Sequence, residues 1–438
     1  MNEDVSRISV VGCGYLGATH AACLAEQGFD VTGIDVDEAK IAELAQGRVP
    51  FFEPGLAELT ARHVAAGRLR FSTDFAALAD ADVHFVTVGT PRVDNGKATD
   101  LRQLHGAMAG ILRYAKPGSV IIGKSTVPVG TAVRLLPDLP SELELVWSPE
   151  FIREGHAVAD TLSPDRIVVG LRTRRAERIA RRVYARQLAE GIPLVITDFQ
   201  TAELAKISAN AFLATKISFI NSVAEVCERT GADVSQLARI LGYDPRIGHG
   251  SLHAGIGYGG GCLPKDVRAF QSRASELGAG AIGELLEVVE KINDRSRERV
   301  VDLVCGACDG KLDGKRIAAL GASFKPDSDD IRDSPALAVA AELATLGAKV
   351  RVYDPMAVPF ARAAVSTVDF CETIEDVLTD AEIVVLLTEW REFALLDPGY
   401  AKTLARNPVV VDGRNALDGS AWRQAGWRYL GMGLPGND

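Results

Sequence analysis

The sequence lacks the marks of three common protein classes. It has no excess of positive charge: 48 Lys and Arg against 58 Asp and Glu leave a formal net charge of −10, which argues against a general nucleic-acid binder. It has no long apolar run. Met1 to Arg7 is short and polar, and the run after it, Ile8 to Val11, breaks at Gly12, too soon for a signal-peptide core or a membrane span. No nucleic acid or membrane is therefore expected as a partner, and a cytoplasmic location is expected. It has no disulfide rhythm either, since seven cysteines are scattered over 438 residues, as in a reducing compartment. Cys305 and Cys308 form a CxxC with no second pair and no suitably spaced histidines. Ordinary helix-end cysteines are expected there, and no metal.

What is present reads as an α/β protein of two or three domains. The β-prone run Ile8–Val11 leads into Gly12-Cys13-Gly14-Tyr15-Leu16-Gly17, a helical stretch to Gln27, and a strand at Val31–Ile34 that closes on Asp35. Strand, GxGxxG, helix, strand and acid stand at Rossmann spacing. Backbone N–H groups at the helix start suit a pyrophosphate. Asp35 suits a ribose 2′-hydroxyl and would repel a 2′-phosphate, which favours NAD over NADP. Further strands run into Gly89-Thr90-Pro91, Lys124-Ser125-Thr126 and Ser148-Pro149-Glu150. Thr90, Thr126 and Glu150 thus fall beyond strand ends, where ligands gather in open parallel sheets, with simple turn chemistry as the competing reading.

The second half echoes the first. Arg316–Leu320 leads into Gly321-Ala322-Ser323-Phe324, and Val350–Tyr353 closes on Asp354. This loop lacks the full GxGxxG, so a different nucleotide-bearing ligand is expected there rather than a second dinucleotide. Between the halves Ala202–Arg229 reads as a long helix, on which Lys206 and Asn210 share one face; a solvated face is the bland reading of that pair. The expected fold is two Rossmann-like, doubly wound parallel-sheet domains joined by a central helical domain with a long helix: residues 1–200 NAD-binding, 201–300 helical, with a dimer surface and a cysteine in a glycine-rich loop, and 312–438 holding the second nucleotide-bearing ligand.

That cysteine is Cys262, in Gly257-Tyr258-Gly259-Gly260-Gly261-Cys262-Leu263-Pro264-Lys265-Asp266. Glycines let a backbone approach a ligand. A thiol beside charged groups suits a nucleophile, because nearby positive charge favours the thiolate. A tight structural loop is the alternative.

Taken together, the chain resembles the UDP-glucose/GDP-mannose dehydrogenase family. The matching stretches are Val11–Gly17, Gly89–Pro91, Lys124–Gly130, Ser148–Gly155, Glu203–Lys206 with Asn210, Gly257–Asp266, Phe324–Asp327, Asp330–Pro335 and Asp412–Arg414. They run in the family's order over nearly the whole chain. The resemblance implies oxidation of the C6 hydroxyl of a nucleotide sugar to a carboxylate, with two NAD and a thiohemiacetal and thioester on Cys262. UDP-glucose is the expected substrate, with GDP-mannose or a UDP-N-acetylhexosamine as alternatives. A two-electron hydroxyacid-type dehydrogenase would need neither Cys262 nor the second sheet, and a non-catalytic nucleotide-sugar sensor would be expected to lose some of Glu150, Lys206, Cys262 and Asp266.

The resemblance also implies roles. Cys262 is the nucleophile. Lys206 and Asn210 stabilise oxyanions at C6, and Glu150 is the base for thioester hydrolysis. Asp266 orients Lys206 and water, and Thr126 lies beside the nicotinamide. Cofactor contacts are implied for Gly12, Gly14, Tyr15, Leu16, Gly17, Asp35, Lys40, Thr90, Thr126, Glu154 and Arg332. Substrate contacts are implied for Phe151, Ile152, Glu154, Lys206, Asn210, Tyr258, Gly259, Lys325 and Arg414. Arg246 is implied to reach the neighbouring site of a homodimer. Two positions depart from the family's habit: Cys13, often a small residue, and Gly261, often serine. Neither is expected to disturb the chemistry, although Cys13 is expected to make the cofactor loop sensitive to thiol reagents.

Overall fold

The first apolar run becomes strand β1 (Arg7–Val11), whose alternate residues feed two different cores. Ile8 and Val10 pack with Val31, Val83 and Phe85 on one face, and Val11 packs with Ile34, Val86 and Ile121 on the other. A strand buried on both faces needs helices above and below, which is the logic of a parallel α/β sheet. The structure is a computed structural model that describes residues 5–93 and 96–435.

The first sheet has eight strands: β1, β2 (Asp30–Ile34), β3 (Leu69–Ser72), β4 (Val83–Val86), β5 (Val120–Gly123), β6 (Glu144–Trp147), β7 (Ile167–Gly170) and β8 (Leu194–Thr197). Their order is β3-β2-β1-β4-β5-β6-β7-β8. The first six are parallel in the Rossmann order. β7 then joins β6 antiparallel, through Trp147 and Gly170, and β8 runs parallel to β7. The second sheet is parallel throughout: β9 (Arg316–Leu320), β10 (Lys349–Tyr353), β11 (Asp369–Phe370), β12 (Ile383–Leu386), β13 (Val409–Asp412) and β14 (Arg428–Gly431), in the order β11-β10-β9-β12-β13-β14. Counted from its own first strand this is again 3-2-1-4-5-6. Ile317 and Ala319 face one core, Ala318 and Leu320 the other. The doubly wound fold expected for each half is the fold observed.

The principal helices are α1 (Tyr15–Glu26), α2 (Phe199–Thr230), α3 (Leu263–Glu276), α4 (Gly280–Ala307) and α5 (Pro335–Thr345). The chain separates into two compact units, Met1–Ala209 with Arg268–Leu277, and Asn210–Val267 with Gly278–Asp438. The chain therefore crosses between units three times: inside α2, inside α3 and just after α3. Cys305 lies in the last turn of α4 and Cys308 caps it. Among the described residues no cluster of His, Cys, Asp and Glu is arranged to hold a metal, and no helix is long and apolar enough to cross a membrane.

Candidate active site

In the first unit, β1 delivers the chain into the glycine turn. Gly12 has φ +98°, and a Cβ there would lie 2.7 Å from the Val88 nitrogen. A Cβ on Gly17 would collide with the Gly12 carbonyl, whereas one on Gly14 would meet nothing within 4 Å. Two glycines are thus needed for packing, and the third leaves open space where α1 begins. That is the form a diphosphate needs at a helix N-terminus. The turn lines a cleft of about 640 Å³ with Asp35, Lys40, Thr87, Val88 and Gly89. The Asp35 carboxylate accepts from the Cys13 amide at 2.8 Å and from Lys40 Nζ at 3.0 Å. These residues fit NAD: amides for a diphosphate and a carboxylate beyond β2 for a ribose hydroxyl. Cys13 does not behave as expected. It is fully buried, its Sγ faces the carbonyls of Val10 and Ile34, and burial, then Asp35, pushes its thiol up. It is shielded from reagents.

The strand-end loops of this unit are tied to one another. Thr90 Oγ1 donates to the Thr126 carbonyl at 2.8 Å, and Thr126 is half-buried. Glu150 accepts from Lys124 Nζ at 2.8 Å and from the Phe151 amide at 2.9 Å. Burial alone would raise the Glu150 carboxyl, but the Lys124 charge outweighs it and holds it below the ordinary value. The Phe151 ring lies under Arg166 at 4.0 Å and under Lys206 Nζ at 5.5 Å. Ile152 and Glu154 follow on the same half-buried loop. Tyr15 and Leu16 open α1, and the Tyr15 hydroxyl donates to Glu53 and accepts from the Gly155 amide.

Lys206 and Asn210 stand one turn apart on α2 and are only 9% and 6% exposed, so their face is not a solvated one. In the second unit Asn210 Nδ2 donates to Asp266 Oδ2 at 2.6 Å, and Lys265 Nζ pairs with Asp266 Oδ1 at 2.7 Å. Asp266 is 1% exposed. The positive charge of Lys265 is therefore committed to Asp266. Cys262 is exposed and its carbonyl accepts the Asp266 amide, which puts the thiol at the N-cap of α3. The positive end of a helix is itself favourable to a thiolate. The sequence pointed to Lys265 for this role; the geometry points to the helix.

The glycines before Cys262 also answer to the protein packed around them. Gly257 (φ +91°) turns against Asn293, and Gly260 (φ +85°) would place a Cβ 2.7 Å from the Phe324 ring. A Cβ on Gly259 would strike the Asp333 carbonyl, whereas one on Gly261 would meet only the movable end of the Arg332 side chain. The loop is small in order to fit the protein around it. Asn293, inside α4, clamps it by accepting from the Tyr258 amide at 2.8 Å and donating to the Tyr258 carbonyl at 3.0 Å.

Beside this loop the second unit has a cleft of about 240 Å³ that brings together Tyr258, Gly259, Lys325 and Arg414. Arg414 is held by the carbonyls of Leu387, Gly257 and Phe324 and by Glu389 at 3.1 Å. Arg332 packs at Gly261 and pairs with Asp330 at 2.7 Å. Arg246 lies outside this cleft, its side chain 86% exposed and paired with Asp244.

Several residues escaped the sequence reading. Lys124 neutralises Glu150, Asn293 clamps the cysteine loop, and Glu53 binds the amides of Gly155 and Ala157 at 2.7 Å each. Glu203 likewise holds the amides of Gly130 and Ala132 at 2.6 Å each. An Asn inside a helix was a signal for Asn293, as it was for Asn210. Glu53 carried none.

Comparison with known proteins identifies the family. Three family models match in chain order: the UDP-glucose/GDP-mannose dehydrogenase family NAD binding domain over residues 6–188, its central domain over 200–295 and its UDP binding domain over 318–419. The chain belongs to the UDP-glucose/GDP-mannose dehydrogenase family. It is 40% identical over 437 residues to a UDP-glucose 6-dehydrogenase from Rhizobium meliloti (strain 1021), covering 98% of this chain and 100% of the relative. A solved UDP-glucose dehydrogenase from the hyperthermophilic archaeon Pyrobaculum islandicum superposes with a TM-score of 0.89 at 35% identity, covering 99% of each chain. A UDP-D-ManNAc dehydrogenase from Pyrococcus horikoshii gives 0.85 at 26% identity, covering 98% of this chain and 99% of that one. The first sheet is thus the family's NAD binding domain.

Proposed function

We propose that this chain is an NAD-dependent UDP-glucose 6-dehydrogenase that oxidises the C6 hydroxyl to a carboxylate and yields UDP-glucuronate. The observation that carries the reading is Cys262: an exposed thiol at a helix N-terminus, on a clamped loop, beside a cleft lined by Lys325 and Arg414. Full-length relatives that act on UDP-glucose support that substrate; a UDP-N-acetylhexosamine is the second reading and draws on a likeness of lower identity.

NAD, held by the Gly12–Gly17 turn and Asp35, supplies the hydride acceptor for both oxidations. The chain's residues handle everything else. Lys206 and Asn210 stabilise negative charge on the C6 oxygen. The first proton leaves through Lys206, or through water held by Thr126 and Asp266. Cys262 Sγ adds to the aldehyde carbon and keeps it as a thiohemiacetal; the second oxidation leaves a thioester. Water then adds to the acyl carbon, its proton goes to Glu150, the C–S bond breaks and the thiolate returns. Phe151, Ile152 and Glu154 contact the sugar nucleotide, Glu154, Thr90 and Arg332 serve the cofactor side, and Tyr258, Gly259, Lys325 and Arg414 hold the substrate's nucleotide end.

The active form is a homodimer in which Arg246 reaches the neighbouring site. Phe212, Phe219 and Val226 are exposed at seven-residue spacing on α2, with Leu285 and Val288 exposed on α4. Such a stripe supports a twofold interface. An exposed nucleophilic thiol also suits the reducing cytoplasm. A panel of nucleotide sugars with NAD tests the substrate: UDP-glucose is expected to be turned over fastest, and a faster rate with UDP-N-acetylmannosamine or GDP-mannose would replace this reading.

A further inference from the structure

Glu150 and Lys124 line a small cavity of about 20 Å³ in the first unit, and His20, Ser148, Tyr184 and Gln187 share its wall. A single water needs roughly 10–15 Å³ by the same measure, and two to four polar partners. The partners are there. His20, on α1, is 3% exposed, with its ring edge-on to Phe85 at 4.6 Å. Neither ring nitrogen has a hydrogen-bond partner among the described residues, and neither has Gln187 Oε1. A neutral imidazole carries one N–H and one lone pair. Leaving both unmatched in a core is costly, and an apolar side chain would fill the place without that penalty.

We propose that this cavity binds one ordered water, held by His20 and Gln187, and that through this water His20 is a positioning residue for Glu150 in thioester hydrolysis. The proposal rests on the reading of Glu150 as the hydrolytic base. Glu150 has one oxygen on the Phe151 amide and the other on Lys124. When it takes the proton of the attacking water, its charge is lost while Lys124 stays charged in a buried place. A water behind the pair accepts or donates as that charge changes, and His20 sets its orientation. Burial, then Lys124, holds the imidazole at about 3, so it is neutral at working pH and able to play either part. The ionisable groups facing it across the cavity are Lys124, Glu150, Asp160, Arg166 and Tyr184.

The test has a structural arm and a kinetic one. High-resolution electron density of the unmodified enzyme is expected to contain a water within hydrogen-bond distance of a His20 ring nitrogen; a dry cavity overturns the proposal. His20→Leu is expected to slow acyl-enzyme hydrolysis about tenfold, with thioester accumulating by intact-protein mass spectrometry and KM for UDP-glucose unchanged. His20→Asn, which still holds a water, is expected to stay within about twofold of the parent. Equal slowing by both, or by neither, overturns the role. His20→Met serves as the apolar variant should the leucine not fold. Glu150→Gln is run alongside. If it leaves hydrolysis unchanged, the reading of Glu150 fails; if it slows hydrolysis and His20→Leu does not, the inference about His20 alone fails.

Discussion

The two sheets share a strand order and part company in the loop after their first strand. Gly12 (φ +98°) and Gly321 (φ +116°) make the same turn at the ends of β1 and β9. In the first sheet α1 begins three residues later, at Tyr15, and its N-terminus faces the cleft. In the second the chain runs on to Ser334 before α5 begins. The acids that close the second strands differ in the same sense. Asp35 keeps a carboxylate that is 10% exposed, shared between the Cys13 and Asp37 amides and Lys40. Asp354 is 2% exposed and already accepts from the amides of Ala322, Ser323, Met356 and Ala357, from Ser323 Oγ and from Trp390 Nε1. One acid lines the open cleft; the other ties its own loop. A repeated topology thus carries two different ligand tasks, because ligand chemistry resides in loops and not in strand order.

The sharpest division falls at the cysteine of the second unit. Cys262→Ala is expected to cut acid formation by roughly 10³-fold or more while leaving NAD affinity within about twofold, read by NADH absorbance and by NAD titration. A smaller dissociation is expected between the two clefts. Gly14→Val puts a side chain into the open space at the start of α1 and is expected to weaken NAD binding roughly 10- to 100-fold with KM for UDP-glucose unchanged. Lys325→Ala is expected to do the reverse, raising KM for UDP-glucose about tenfold, the scale of one charge-assisted hydrogen bond. If either variant disturbs both ligands equally, the partition between the sheets is wrong.

The paired acids provide the next test. Asp35→Asn is expected to narrow the NAD over NADP preference about tenfold, since Lys40 is then available to a 2′-phosphate. Asp354→Asn is expected to leave that preference alone and to lower Tm by a few degrees, the effect of losing about 1–3 kcal/mol of buried hydrogen bonding. The smallest expected effect is a pH dependence confined to the first sheet. His84 bridges Ser9 at 2.8 Å and Ser119 at 3.2 Å, and burial, then Lys116, holds it at about 4, below the ordinary 6.5. The unfolded chain therefore binds this proton first. The contribution is full above about pH 6.5 and is lost progressively as pH falls towards 4. Val384 takes the matching register in the second sheet. A His84→Asn variant is expected to give a shallower fall of Tm over that range.

Much of this comparison was legible in the chain. Strand, GxGxxG and Asp35 are local patterns with strong spacing rules, and the echo at Arg316–Asp354 follows from the same periodicity. The buried face of Lys206 and Asn210 was legible too, since Asn has little reason to sit inside a helix. What could not be read was set by contacts distant in sequence. The glycines around Cys262 match Asn293, Phe324, Arg332 and Asp333. Glu53 and Glu203 cap backbone amides some 70 to 100 residues away. Cys13 looked reactive because a glycine loop suggests exposure, yet its side chain points under the loop into the strands. The short strands β7 and β8, with the antiparallel join, have little pattern of their own.

The central claim is a thiol that holds an aldehyde through a second oxidation. The direct measurement is the number of NADH formed per UDP-glucose consumed, run to completion with NAD in excess. The expected value is two, with UDP-glucuronate as the product and no free aldehyde trapped by a hydrazine in the medium. One NADH per UDP-glucose, or a full yield of two from Cys262→Ala, would contradict it.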